Sequence, residues 1–213
     1  MRTGPALLQF ESMRLLVATT NPGKLREIRH VLAGAPVRLV TLADLPAIAE
    51  PDETGATFAE NARLKAAHYA GASGLVTVAE DSGLAIGALG GRPGVQSARY
   101  PGETYPEKFQ NLYRELTTHP RPWTARFVCS LALVHPPGRA AVETAEQPAF
   151  TCEATVDGEI TTPPRGEYGF GYDPIFLYPP YGCTLGEVRG ERKLAVAHRG
   201  KAFAQLAAWL RQT

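Results

Sequence analysis

Residues 75–83 read Leu-Val-Thr-Val-Ala-Glu-Asp-Ser-Gly, and the reading of this stretch decides the fold. The apolar run 75–79 ends in two adjacent carboxylates, Glu80 and Asp81, followed by Ser82 and Gly83. A short apolar run bounded by small and turn-forming residues is a buried strand of the kind found in α/β sheets. In such sheets ligands collect beyond the carboxyl ends of strands. Successive strand residues face opposite ways, so the two acids share one site only if the strand stops at them. Ser82-Gly83 reads as that stop. Clustered carboxylates at a strand terminus suit Mg²⁺, a hard cation that takes oxygen ligands and keeps several waters.

Working outward, residues 14–20 (RLLVATT) are a first buried strand, and Asn21-Pro22-Gly23-Lys24 is turn chemistry. Leu25, Ile28, Val31 and Leu32 then recur at helical spacing, with Arg26, Glu27 and Arg29 on other faces. Gly34 and Pro36 end that helix, and 37–42 is a second strand. Residues 44–55 form an acidic loop carrying Glu50, Asp52 and Glu53. Thr57 and Glu60 have capping-box spacing and open a helix that ends at Gly71 or Gly74.

Downstream, 105–118 reads as a surface helix with Phe109, Leu112, Tyr113 and Leu116 on one face. Residues 124–135 are a long strand. Residues 140–160 read as further antiparallel strand turned at Asp157-Gly158, which predicts a second lobe built from hairpins. A last helix spans 194–210, and 1–12 read as a disordered extension before Met13.

Composition bounds the function. The chain has 213 residues, 44% hydrophobic and 20% charged, at net charge +1. That is ordinary for one globular domain and gives no global field for a nucleic acid polymer or a membrane surface. Three cysteines without a C-x-x-C predict no disulfide framework and no structural zinc, and point to a reducing, cytoplasmic setting. No apolar run approaches the ~20 residues of a bilayer span.

Four groups carry chemistry. Thr19, Thr20, Asn21, Pro22, Gly23 and Lys24 join a strand to a helix start, where free N–H groups and the helix dipole attract anions. The spacing is not that of a Walker A loop. Glu80 and Asp81, with Glu53 or Glu60, offer oxygen ligands. Phe170, Gly171, Tyr172 and Asp173 form an aromatic loop of the kind that stacks on bases. Lys193, His198, Arg199 and Lys201 gather positive charge near a helix start, against the dipole, which suggests an anion between them. Together they describe a site for a nucleotide and its polyphosphate.

Six ordered blocks then carry a resemblance: VATTNPGKLREI at 17–28, ETGATFAENARLKA at 53–66, EDSGLAI at 80–86, GGRPGVQSARY at 90–100, GFGYDPIF at 169–176 and ERKLAVAHRGKA at 191–202. The chain resembles the inosine triphosphate pyrophosphatase family over nearly its whole length from Met13. Thr20 stands where many bacterial members have glycine, and Glu80 where many have aspartate. The resemblance implies an α/β fold with an elongated mixed sheet, flanking helices and two lobes, within a single domain at 13–213. It implies Mg²⁺-dependent hydrolysis of ITP, dITP and XTP to the monophosphate and pyrophosphate, in a homodimer. By the same resemblance Asp81 is the catalytic base and a metal ligand, with Glu80 and Glu53 as further ligands. Thr19 to Lys24 and Lys65 hold the triphosphate, Ser82 touches the substrate, Phe170 to Asp173 line the base and sugar pocket, and Lys193, His198 and Arg199 close over the base. A pyrophosphatase for modified pyrimidine nucleotides and a non-catalytic nucleotide sensor remain compatible with the same residues.

Overall fold

The computed structural model describes residues 13–138 and 148–212. The extension expected at 1–12, and the part of the 140–160 reading that falls on 139–147, lie outside the described residues.

The first half is strand–helix–strand in the order β1 (Met13–Val17), α1 (Pro22–Val31), β2 (Val37–Thr41), α2 (Phe58–Ser73) and β3 (Val76–Ile86). Then come α3 (Tyr105–Leu116), β4 (Thr124–Val134), β5 (Phe150–Ile160), β6 (Phe176–Tyr178), β7 (Cys183–Thr184), α4 (Gly190–Leu194) and α5 (His198–Leu210). The seven strands among the described residues lie in one mixed sheet, β2-β1-β3-β4-β5-β6-β7. β1 is parallel to β2 and β3, and every other pair is antiparallel. This is the expected α/β class.

Local signals placed the helices. Thr57 accepts from Glu60 N–H while the Glu60 carboxylate takes the Thr57 N–H, and Gly74 closes α2 in the left-handed conformation at φ 67°. Thr104 and Glu107 cap α3 in the same way. α1 and α5 cover one sheet face around Leu15, Val78, Leu131, Phe203 and Leu206. α2 covers the other around Leu16, Ala66, Ala79 and Ala132. A third cluster joins the far half of β3 to α3 and the segment before β7, around Leu84, Phe109, Leu112, Trp123 and Phe176.

Three expectations are corrected. β3 does not stop at Glu80-Asp81 but runs on to Ile86, paired to β4 throughout. Gly83 is a close-approach position: a Cβ there would stand 2.4 Å from Ser97 Oγ and 2.6 Å from the Gly94 carbonyl. The helical turn Gly94–Arg99 packs onto the strand through that gap, with Ser97 Oγ accepting from Leu84 N–H at 2.8 Å. Likewise β5 passes straight through Asp157-Gly158, where a Cβ on Gly158 would meet the Leu177 carbonyl at 2.4 Å. Glycine there admits β6 and makes no turn. The last helix is divided, with α4 ending at Leu194 and α5 starting at His198. The cysteines are free, and no helix among the described residues is long and apolar enough to cross a membrane.

Candidate active site

β1 stops at Val17 while its neighbour β3 continues for eight more residues beyond Val78, the last position the two strands share. The cavity opens in that step, at the carboxyl end of a parallel strand. Its lining brings together Thr19, Thr20, Asn21, Lys24, Glu53, Lys65, Glu80, Ser82, Phe170, Gly171, Tyr172, Asp173, Lys193, His198 and Arg199. Pro22 and Gly23 sit in the first turn of α1, and Asp81 contacts the cavity wall through Lys65.

Because β3 does not end, Glu80 and Asp81 face opposite sides of the sheet. On the Glu80 side the carboxylate meets Lys24 Nζ at 2.8 Å and Arg199 Nε at 3.3 Å. Arg199 also donates to Glu27 at 2.8 Å and to Ser82 Oγ at 2.8 Å. Glu27 takes Lys193 Nζ at 2.7 Å, and Lys193 reaches Asp173 at 2.7 Å. Three cations and three carboxylates thus alternate in one buried chain: Lys24, Glu80, Arg199, Glu27, Lys193, Asp173. In place of the anion expected between the basic residues at 193 and 199, the protein's own Glu27 stands between Lys193 of α4 and Arg199 of α5, with Glu80 on the other side of Arg199. Burial pushes the Glu80 carboxyl up, but the Arg199 and Lys24 charges outweigh it and hold it well below the usual glutamate range.

On the Asp81 side, Asn61 Nδ2 donates to Oδ2 at 3.2 Å and Lys65 Nζ to Oδ1 at 3.1 Å. Lys65 also holds Glu53 Oε1 at 2.7 Å, and Arg99 holds Glu53 Oε2 at 2.7 Å. Here burial outweighs the Lys65 charge, so the Asp81 carboxyl titrates above the usual aspartate value. That is the direction a general base needs. The expected ligand set of Glu53, Glu80 and Asp81 is not brought together, because Glu80 is on the far face. No group of three or more His, Cys, Asp or Glu side chains stands ready for a metal among the described residues. Glu53 and Asp81 do converge, and the Lys65 ammonium marks where. A hard cation needing one or two carboxylates plus phosphate and water fits that donor pair.

The anion turn works differently from its sequence reading. Asn21 Oδ1 caps α1 by accepting from Gly23 N–H at 2.9 Å and Lys24 N–H at 3.0 Å. Pro22 has no N–H, so the first turn leaves few free backbone donors. Its positive charge is the Lys24 ammonium, with the Thr19 and Thr20 hydroxyls alongside. Gly23 serves packing: a Cβ there would lie 2.8 Å from the Phe170 ring.

His198 is buried and stacks on Phe127, with ring centroids 4.8 Å apart and planes at 14°. Burial, and then the Arg199 charge, hold its pKa well below the usual histidine range, so the imidazole is neutral. Its Nδ1 has no hydrogen-bond partner among the described residues. Tyr172 is buried too, its hydroxyl donating to the Ser97 carbonyl at 2.8 Å.

Sequence reasoning missed Glu27, Asn61, Arg99 and Ser97. Two left a signal. Glu27 is three residues after Lys24 and Asn61 four before Lys65, spacings that share a helix face.

A profile of the Ham1 family matches residues 15–209. The chain belongs to the Ham1 family. This Ham1 chain is 45% identical over 196 residues to a dITP/XTP pyrophosphatase of Geobacter sulfurreducens, covering 91% of this chain and 94% of the relative. It is 46% identical over 202 residues to a dITP/XTP pyrophosphatase of Thermus thermophilus, covering 92% and 91%. A solved HAM1 protein from Coxiella burnetii superposes with a TM-score of 0.81 at 37% identity, covering 94% of this Ham1 chain and all, 100%, of that one.

Proposed function

We propose that this Ham1 chain hydrolyses non-standard purine nucleoside triphosphates (ITP, dITP and XTP) to the monophosphate and pyrophosphate, with Mg²⁺ as cofactor. The observation that carries the reading is one cavity flanked by two lysine–carboxylate centres. Lys24 and Glu80 stand on one side, and Lys65, Glu53 and Asp81 on the other. A triphosphate with its cation matches that charge pattern. Relatives at 45% and 46% identity carry the name dITP/XTP pyrophosphatase.

Asp81, its carboxyl raised by burial, takes a proton from the water that attacks the α-phosphate. Asn61 and Lys65 hold both of its oxygens and so fix the direction of attack. Glu53 and Asp81 would hold Mg²⁺, which supplies charge neutralisation at the phosphate oxygens. Lys24 and Lys65 stabilise the charge that develops on the leaving pyrophosphate. In this scheme Glu80 is the counter-charge that fixes Lys24 and Arg199, and it is not a metal ligand.

The base lies by Phe170, Lys193, His198 and Arg199. A neutral imidazole with an unpartnered Nδ1 can pair with a purine edge. A keto oxygen at position 6 accepts from donors that an adenine amino group would leave unpaired, and such mismatches cost orders of magnitude in rate. The homodimer belongs to the same proposal, and light scattering reads it directly. The deciding assay is pyrophosphate release from ITP, dITP, XTP, GTP, ATP and dUTP with and without Mg²⁺. The reading requires release from the first three that depends on the metal. Release from dUTP alone, or from none, overturns it.

A further inference from the structure

Among the described residues Tyr105 is the one large hydrophobic side chain left exposed, at 37% of its surface. It opens α3, and its ring lines the cavity. The ring does not hang free. It stands edge-on to Tyr172 with centroids 5.3 Å apart and planes at 89°, and it leans on Phe109 at 6.2 Å. The Lys108 ammonium lies 5.3 Å from its centroid. A Cβ on Gly171 would come 3.5 Å from the Tyr105 hydroxyl, so the phenol borders the aromatic loop.

The aromatic side chains expected to receive a base are less available than Tyr105. Tyr172 is only 4% exposed and tied to Ser97. Phe170 packs against Gly23 and is faced by the Lys193 and Arg199 charges at 5.2 and 5.3 Å. Tyr105 is held by its neighbours, uncharged, and open to the cavity. A rigid aromatic surface binds a planar base or the apolar face of a sugar with little loss of side-chain freedom. The Lys108 ammonium beside it is engaged by the Ala98 carbonyl at 2.5 Å.

We propose that Tyr105 is a substrate-contact residue whose ring forms the wall against which the nucleoside half of the triphosphate lies. This rests on the nucleotide reading above. It assigns to α3 a part in binding that none of the six sequence blocks contains. The contact is made by the ring, and Tyr105→Phe therefore preserves it.

The test measures KM and kcat for ITP, dITP and XTP in wild type, Tyr105→Ala and Tyr105→Phe. Calorimetry with α,β-methylene inosine triphosphate reads binding without turnover, and inhibition by inorganic tripolyphosphate reads the phosphate half alone. Tyr105→Ala is expected to raise KM and the analogue Kd about tenfold, the size of one lost aromatic–base contact, while kcat stays within about twofold. Tyr105→Phe is expected to match wild type, and tripolyphosphate to inhibit all three equally. Unchanged KM and Kd in Tyr105→Ala overturn the proposal. So does an equal loss in Tyr105→Phe, or a matching loss of tripolyphosphate inhibition, which would mark a general disturbance of the cleft. If wild type binds the analogue but releases no pyrophosphate, the catalytic reading fails while the calorimetric comparison still decides Tyr105.

Discussion

The two sides of β3 hold the same kinds of side chain and use them differently. On one, Glu80 is enclosed by Lys24 and Arg199 in an alternating buried chain that ends at Asp173. On the other, Asp81 shares Lys65 with Glu53, and Arg99, a half-exposed cation, completes the group. The opposite shifts of the two carboxyls follow from this. Glu80 is surrounded by enough positive charge to overcome burial, whereas Asp81 is not. A carboxylate held charged well below its usual range is structural counter-charge. One that is raised toward neutrality is available for proton transfer. The lesson is that adjacency in sequence, across a strand, separates roles.

The largest effect expected is on the Asp81 side. Asp81→Asn should lower turnover about 10³-fold, the scale of a lost general base, while nucleotide binding persists. Its melting temperature should be no lower than wild type, because a carboxyl whose folded pKa is raised costs stability when charged. Near-normal pyrophosphate release would break the comparison at once.

On the Glu80 side the expected loss is of stability. Glu80→Gln leaves Lys24 and Arg199 facing a neutral group in a buried site, which costs about 3–5 kcal/mol when one member of such a pair is removed. Denaturant unfolding reads it. A variant as stable as wild type but inactive would make Glu80 a reacting group and erase the contrast.

The gentlest probe is pH. Glu80 in the unfolded chain titrates at about 4.3, and its folded value is well below that. Its stabilising contribution is therefore complete above that value and is lost as pH falls toward the folded one. Asp81 lies on the other side of its ordinary value, so it takes its proton earlier on acidification. As pH falls from neutrality, Asp81 in the metal-free protein should take up its proton, read by carboxylate infrared absorption, before the melting temperature declines. Coincident changes would mean that one network serves both purposes.

Much of the first half was legible in the sequence because its signals are local. The Thr57–Glu60 capping box, the Gly74 helix stop and the apolar runs act within a few residues of themselves, and each element formed where they stand. The candidate site was legible as a set of residue types, since nearly all of the expected positions line one cavity. Its wiring was not. Ser82-Gly83 and Asp157-Gly158 both read as breaks in the chain, and both are uninterrupted strand in which glycine makes room for another segment. A missing Cβ looks the same in sequence whether it permits a turn or a close neighbour. Glu27 was placed only on another face of its helix and given no role, because its partners are 166 and 172 residues away along the chain.

By itself the sequence determined the alternation of strands and helices, the caps, the inventory of acids, lysines and aromatics, and the family resemblance they carry. These depend on propensity and on spacing within a few turns. Only the tertiary structure decided that Glu80 and Asp81 face apart, that Arg199 is buried between two carboxylates, and that Tyr105 stands open at the cleft. Those outcomes depend on where one strand outruns its neighbour and on which distant charges meet there, and no local pattern encodes either.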